Sequence, residues 1–334
     1  MAGQINIGDT WKNTTALQVN INDSWKVVTG GYINIGDTWK QWWPTVENID
    51  GKYIYLYNAN GNTWKSADYG VTWASGGTVT AYYSDIACNA TGQYVVCDQS
   101  ASLKVSSNYG VSYSSVSVTG GYAQFSVNAN GSVMVCGGSD GKIRHSETTG
   151  TTWSVLDLPG SAAYMGVCCS SKGDIQYYSG KGGIYKSTDY GATYTTLSGA
   201  GIYMMCACSA NGGVITVTGN PDYLKVSSDS GATFQNKAVN IKWYCVAMSL
   251  SGQYQIAGGE SNLLYVSSDY GQTWTNKTIG SYSYYGVDCS GSGQIMVIGG
   301  WGGQKCHIST NYGVNWSALN TSGQYAGVAI NKYQ

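Results

Sequence analysis

The chain has 334 residues and a formal net charge of -1, and only 10% of its residues are charged, against about 25% in an average soluble domain. So neutral a balance offers no electrostatic case for nucleic acid or for an anionic membrane. No apolar run approaches the ~18 residues of a membrane span, and Met1-Ala2-Gly3-Gln4 opens without the basic and apolar regions of a signal peptide.

Residues 1–45 form a module with its own repeat. Ile5-Asn6-Ile7-Gly8-Asp9-Thr10-Trp11-Lys12 returns as Val19-Asn20-Ile21-Asn22-Asp23-Ser24-Trp25-Lys26 and again as Ile33-Asn34-Ile35-Gly36-Asp37-Thr38-Trp39-Lys40, so the starts at 5, 19 and 33 are 14 apart. Each unit is two short alternating runs around Gly-Asp or Asn-Asp, which predicts a hairpin. A lone hairpin is marginal in water, and Trp11, Trp25 and Trp39 stand at equivalent places as candidate attachment residues. Gln41-Trp42-Trp43-Pro44 reads as the junction.

From residue 46 a longer period takes over. Versions of Ser267-Ser268-Asp269-Tyr270-Gly271-Gln272-Thr273-Trp274 begin at Ser66, Ser106, Ser146, Ser187, Ser227, Ser267 and Ser309, in steps of 40, 40, 41, 40, 40 and 42. A period this even marks a repeat architecture. The Asp or Asn at the third place can bond the backbone of its own turn, Gly at the fifth permits positive φ, and the closing aromatic can lie across the repeat as an apolar wedge. Between boxes the grammar is constant. In the second repeat, Tyr83 to Cys88, Gln93 to Cys97, Leu103 to Ser106 and Tyr113 to Val116 predict four short strands, the pattern of a propeller blade. First-strand segments begin near Tyr83, Tyr122, Tyr164, Tyr203, Trp243, Tyr284 and Tyr325. The last has no box after it, and the first box has only two strands before it. The expected fold is therefore all-β: a seven-bladed β-propeller over 46–334 in which Tyr325 to Ile330 completes the blade begun at Gly51, preceded by the hairpin module.

The octapeptide resembles the Asp-box, or BNR repeat, of sialidases, sortilin-like receptors and photosystem assembly factors. Asp68 to Trp73, Asp189 to Tyr194 and Asp269 to Trp274 keep Asp, Gly, Thr and an aromatic together, while Asn108, Asn311 and Thr148 depart at the third place. The resemblance implies a turn that marks the fold and lies away from any active site. Residues 1–45 resemble short repeats at the N-termini of tailed-phage structural proteins, which implies attachment to other virion or tail proteins or to copies of the same chain.

In such a propeller the start of each first strand meets a face built by the loops between fourth and first strands and between second and third strands. Tyr83, Tyr122, Tyr164, Tyr203, Trp243 (with Tyr244), Tyr284 (with Tyr285) and Tyr325 would ring the channel mouth there, either stacking on a ligand or packing blade against blade. The variable loops beside them carry Asp98, Asp140, Lys181, Asp222, Glu260 and Trp301 at their tips.

The catalytic readings fail on residue content. A sialidase-like site clamps a carboxylate with three arginines, and the chain has only Arg144; the arginine patch of the photosystem factors is missing too. The two-propeller xyloglucan hydrolases are far longer and use a carboxylate pair in a cleft between domains. A glycosidase needs two carboxylates about 5–10 Å apart, and the loop carboxylates fall on separate blades. No Gly-x-Ser-x-Gly elbow, phosphate loop or Cys–His pair is present, so no catalytic residue, metal or cofactor is assigned. Of ten cysteines, Cys88, Cys169, Cys208 and Cys289 share a repeat position that elsewhere holds Val127 or Met248. That is an apolar site, which predicts free thiols too far apart to bridge and a reducing cytoplasm as the place of folding. The favoured function is a non-enzymatic phage tail or virion protein, assembled in the host cytoplasm, whose propeller binds a host surface glycan or protein. The alternatives are a lectin-like propeller unrelated to a virion and a glycoside hydrolase.

Overall fold

The structure, a computed structural model, describes residues 49–333 apart from 59–61, 79–84, 100–101, 119, 121, 159–165, 200, 281–282, 301–304 and 320–324, together with the backbone of six N-terminal strands. It divides into two compact units, Met1–Asn48 and Ile49–Gln334. The expected boundary at 45–46 lies outside the described residues.

In the first unit Gly3–Ile7 pairs with Thr10–Thr14, Leu17–Ile21 with Ser24–Val28, and Tyr32–Ile35 with Thr38–Gln41. Each pair is an antiparallel two-stranded sheet. The register repeats: Asn6 faces Trp11, Asn20 faces Trp25 and Asn34 faces Trp39. The three tryptophans therefore occupy one cross-strand site in each hairpin.

The second unit is a propeller of seven four-stranded antiparallel blades, with no helix among the described residues. Blade 1 is Tyr325–Ile330, Ile54–Asn58, Asn62–Ser66 and Ala74–Thr78, from the inside out, so the last strand of the chain closes the ring as expected. Blades 2 to 7 follow in chain order with inner strands Ile86–Cys88, Tyr122–Val127, Gly166–Cys169, Tyr203–Cys208, Trp243–Met248 and Tyr284–Cys289. The second strands Met134–Gly138, Gln176–Gly180, Ile215–Gly219 and Gln255–Gly259 are buried along their whole length, whereas outer strands such as Ser114–Val116 are largely exposed. Burial on both faces is what their Val, Ile and Gly content fits.

Each Asp-box is a small hydrogen-bonded clasp. In blade 1 the buried Ser66 Oγ donates to Asp68 Oδ1 at 2.8 Å and accepts the Gly70 N–H at 2.8 Å. Asp68 Oδ1 also accepts the Thr72 N–H at 2.8 Å, and Trp73 Nε1 donates to Gly70 O at 3.1 Å. Bonds from Thr193 and Ser187 hold the Asp189 carboxyl down to about 2. The turn also needs more than the expected positive φ at Gly. The preceding residue is left-handed too, and in five blades it is a tyrosine: Tyr69, Tyr109, Tyr190, Tyr270 and Tyr312, with φ between 59° and 62°. That conformation costs a residue with a Cβ about 1–2 kcal/mol. Ring packing offsets part of it, with Tyr109 on Tyr53 at 4.9 Å and Tyr312 on Tyr254 at 4.5 Å.

The ring is tied a second time at the turns that follow the inner strands. Backbone N–H groups donate from Ala90 to Ala129, Ala129 to Ser171, Ser171 to Ala210, Ala210 to Leu250 and Leu250 to Gly291, at 2.8–3.1 Å. Blade 1 has no continuous turn here, because its inner strand is the end of the propeller chain. Two side chains replace it. Asp50 accepts the Gly291 and Ser292 N–H groups at 2.5 and 2.8 Å, and the fully buried Asn331 donates to Ala90 O at 3.0 Å. Asn331 Oδ1 also accepts the Tyr53 N–H at 2.7 Å, as Asn89 Oδ1 accepts that of Tyr94 at 3.0 Å in the unbroken turn of blade 2.

Candidate functional site

The loop face departs from the expected aromatic ring. Five inner strands open with a register shift, at Tyr122/Gln124, Tyr203/Cys206, Trp243/Cys245, Tyr284/Gly286 and Tyr325/Gly327. A bulge of this kind turns consecutive side chains away from strict alternation. As a result Tyr203, Trp243, Tyr284 and Tyr325 are core residues, none more than 5% exposed. Trp243 meets the Tyr265 ring edge-on at 5.4 Å and donates from Nε1 to Val239 O at 3.1 Å. These four offer no open ring face to a ligand and serve the blade-to-blade packing that was the alternative reading. Tyr83, Tyr164 and Trp301, and the side chain of Tyr122, lie outside the described residues.

The next residues, Tyr244 and Tyr285, take the surface role. Both are half-buried, and their rings stack at 4.6 Å and 12° across blades 6 and 7. On the same face, Ile202, Tyr223 and Val239 of blade 5 are 47%, 36% and 38% exposed. Backbone contacts hold these loops side by side: Asn220 N–H donates to Ile202 O at 2.9 Å, Asp222 pairs with Ile241, and Glu260 N–H donates to Lys242 O at 2.9 Å.

The polar loop tips are engaged locally. Asp222 pairs with Lys225 at 3.2 Å, and Glu260 accepts the Lys242 N–H at 3.1 Å. Asp98 is buried. Asp140 binds Arg144, the one arginine, whose guanidinium is buried and whose Nη1 donates to Asp140 Oδ1 at 3.0 Å. That pair holds the Asp140 carboxyl below its usual range despite partial burial. Arg144 is thus a structural cation rather than a substrate clamp.

The central channel is narrow. Its cavity measures about 150 Å³, short of the ~300–1,000 Å³ typical of ligand pockets. Side chains answer the inner-edge N–H groups there. Asp85 accepts from Phe125, Gln124 Oε1 from Val167 and Cys206, Ser126 Oγ from Cys169, and Asp288 from Ile330, at 2.8–3.2 Å. Lys332 reaches in to pair with Asp288 at 2.9 Å. A groove on the rim between blades 6 and 7 is lined by Asn276, Lys277, His307 and Trp316, among others. Among the described residues no group of three or more His, Cys, Asp or Glu is placed to hold a metal ion.

Burial raises the channel thiols, Cys169 and Cys289 to about 12, so they are poor nucleophiles. Burial, reinforced by the Cys206 and Cys208 thiols of the next blade, pushes the Cys168 thiol up as well. Burial, reinforced by Asp288, pushes the Asp85 carboxyl up to about 7 even though the Phe125 and Ile86 N–H groups favour its charged form. A raised carboxyl pKa means that the folded state holds a proton the unfolded state has released. Its penalty therefore grows as pH rises from about 4 towards 7 and is complete above 7. Asp85→Asn is expected to raise the melting temperature clearly at pH 8 and much less at pH 5, where the folded acid keeps its proton and only the first part of that penalty has built up. Equal shifts at both pH values would refute this placement of the proton.

A model of the BNR-Asp box repeat matches residues 264–278, the blade 6 turn with its flanking strands. No curated protein matches the sequence. In fold the chain is similar to the GH74 xyloglucanase from Xanthomonas campestris, with a TM-score of 0.61 and 12% identity over 85% of this chain; it spans about half, 53%, of that enzyme. It is also similar to YCF48 in its complex with a D1 peptide, with a TM-score of 0.55 and 14% identity, covering 79% of this chain and 89% of that one. The chain is a seven-bladed propeller built on Asp-box turns.

Proposed function

We propose that the chain is a non-enzymatic tail or virion structural protein. Residues 1–45 attach it, through Trp11, Trp25 and Trp39, to other virion proteins or to copies of itself. The propeller binds a host surface glycan or protein. The observation that carries this reading is the opposition of the propeller's two ends. The chain enters the ring at Ile49–Lys52, in the turn region of blade 1, where Tyr69 of the Asp-box donates its N–H to Lys52 O at 3.1 Å. The variable loops occupy the other end of the same strands, so chain entry and ligand contact do not compete for one end of the ring.

The engagement of Asp98, Asp140, Asp222 and Glu260 in burial, ion pairs or backbone bonds favours binding over hydrolysis. Propellers host both activities, as the hydrolase and the peptide-bound neighbour illustrate, so fold alone does not choose between them. Assembly in the host cytoplasm fits ten free cysteines. Glycan and peptide arrays probed with the full chain, alongside reducing-sugar release from the bound glycans, test the reading. Saturable binding without release is expected. Release above the blank would make the protein a hydrolase, and silence on both arrays would remove the binding function.

A further inference from the structure

Exposed apolar side chains occur at both ends of the propeller but are organised differently. At the Asp-box end Val71, Val111, Val314, Tyr190, Tyr270 and Tyr312 recur at equivalent turn positions, one or two in each of five blades. Apolar residues scattered in this way are ordinary surface. At the loop end Ile202, Tyr223 and Val239 stand at the loop-face ends of three different segments of blade 5, on the same face as the Tyr244–Tyr285 stack and the half-buried Met204. No repeat rule generates them: the place of Ile202 before the first aromatic is held elsewhere by Tyr82, Gly121, Ala163, Lys242, Ser283 and Gln324, with no other aliphatic side chain larger than Ala. The outer strand of blade 5, Gln235–Ile241, is also the longest described strand. Its register slips opposite Asp222–Leu224, and Ala238 adopts a φ of 58° beside Val239. Such a bulge re-aims side chains.

Resting on the binding reading above, we infer that this patch on blades 5 to 7 docks an uncharged aliphatic or aromatic segment of a partner protein. Two observations select that occupant. The charges within the patch balance: Asp222 pairs with Lys225 at 3.2 Å, and the acidic Glu260, which takes the Lys242 backbone N–H, stands beside the basic Lys242. A partner therefore gains nothing from net charge of either sign. The exposed groups include aliphatic Ile202 and Val239, while the two stacked tyrosines cover one face of each other. A sugar is held by open aromatic faces and a dense set of hydrogen-bonding side chains, whereas aromatic and Met anchors within an apolar patch are the centre of a protein interface.

The test uses the full chain on arrays of short synthetic peptides, neutral apolar and charged, with a glycan array in parallel. Ile202→Asp and Tyr223→Asp are compared with Val71→Asp, at the opposite end, after melts confirm that each variant is folded. If Ile202→Asp fails to fold, Val239→Asp replaces it. Neutral apolar peptides are expected to bind with an affinity that hardly changes between low and high salt. Each loop-end variant should weaken binding by about 30-fold or more, as loss of an interface anchor does, and Val71→Asp should leave it unchanged. Peptide binding that the loop-end variants do not weaken overturns the inference, as does binding confined to charged peptides with a steep salt dependence. Binding to glycans alone overturns it while leaving the binding function standing; silence on both arrays removes both.

Discussion

Asn331→Ala is expected to lower the unfolding free energy by about 2–4 kcal/mol, and removal of residues 324–334 to leave a chain that aggregates. Asn331 is fully buried, and its side chain serves three backbone groups: the Tyr53 N–H at 2.7 Å, Ile49 O at 2.7 Å and Ala90 O at 3.0 Å. A buried backbone group stripped of its partner costs about 1–3 kcal/mol. Partial access of solvent to the turn keeps the sum below the simple total. The same substitution at Asn89 breaks a turn whose ends remain joined by the chain, so it should cost less. Deletion goes further, because it removes the inner strand of blade 1 and exposes the edge of Ile54–Asn58. Urea melts of the point variants and light scattering of the truncated chain give the answer. A soluble truncated chain with a single cooperative transition would show that closure does not depend on this strand.

The second large effect separates two adjacent aromatics. Trp243→Ala is expected to cost about 3–5 kcal/mol, as large-to-small changes of a buried aromatic do. Tyr244→Ala is expected to cost about 1 kcal/mol, the contribution of one partly exposed ring pair. Trp243 is fully buried in the blade 5–6 core with Leu224, Val246 and Ala257, whereas Tyr244 lies half-buried against Tyr285. Comparable losses in urea melts of the two variants would contradict the bulged register.

These two cases mark where the sequence was legible. The even spacing of Ser66 to Ser309 and the absence of a box after Tyr325 are matters of counting, and the closed ring followed from them. Choosing which of Trp243 and Tyr244 faces outward required strand parity, which a bulge changes without leaving a residue signature. In blades 6 and 7 the surface aromatic is therefore the residue after the one that the spacing singles out. The Asp50–Asn331 tie does have a residue signature. Asn89, Asn128, Ser170, Ser209, Ser249, Ser290 and Asn331 follow the inner strands in every blade, so Asn331 was already marked as a turn residue without a turn. The engagement of Asp140 with Arg144 depends on a side-chain meeting at the loop face, where an acidic tip and a solvated one read alike in sequence.

Residues 1–45 and the propeller are proposed to divide attachment and binding between them. The most direct test of this division is a chain beginning at residue 45, compared with the full chain by light scattering, thermal melting and array binding. We expect the shortened protein to fold, to melt at the same temperature, and to keep its array ligands while losing self-assembly or incorporation into a particle. An unfolded product would make the hairpins part of the propeller's core, and a folded one that still assembles like the full chain would reduce them to a cap. Either result would contradict attachment through Trp11, Trp25 and Trp39.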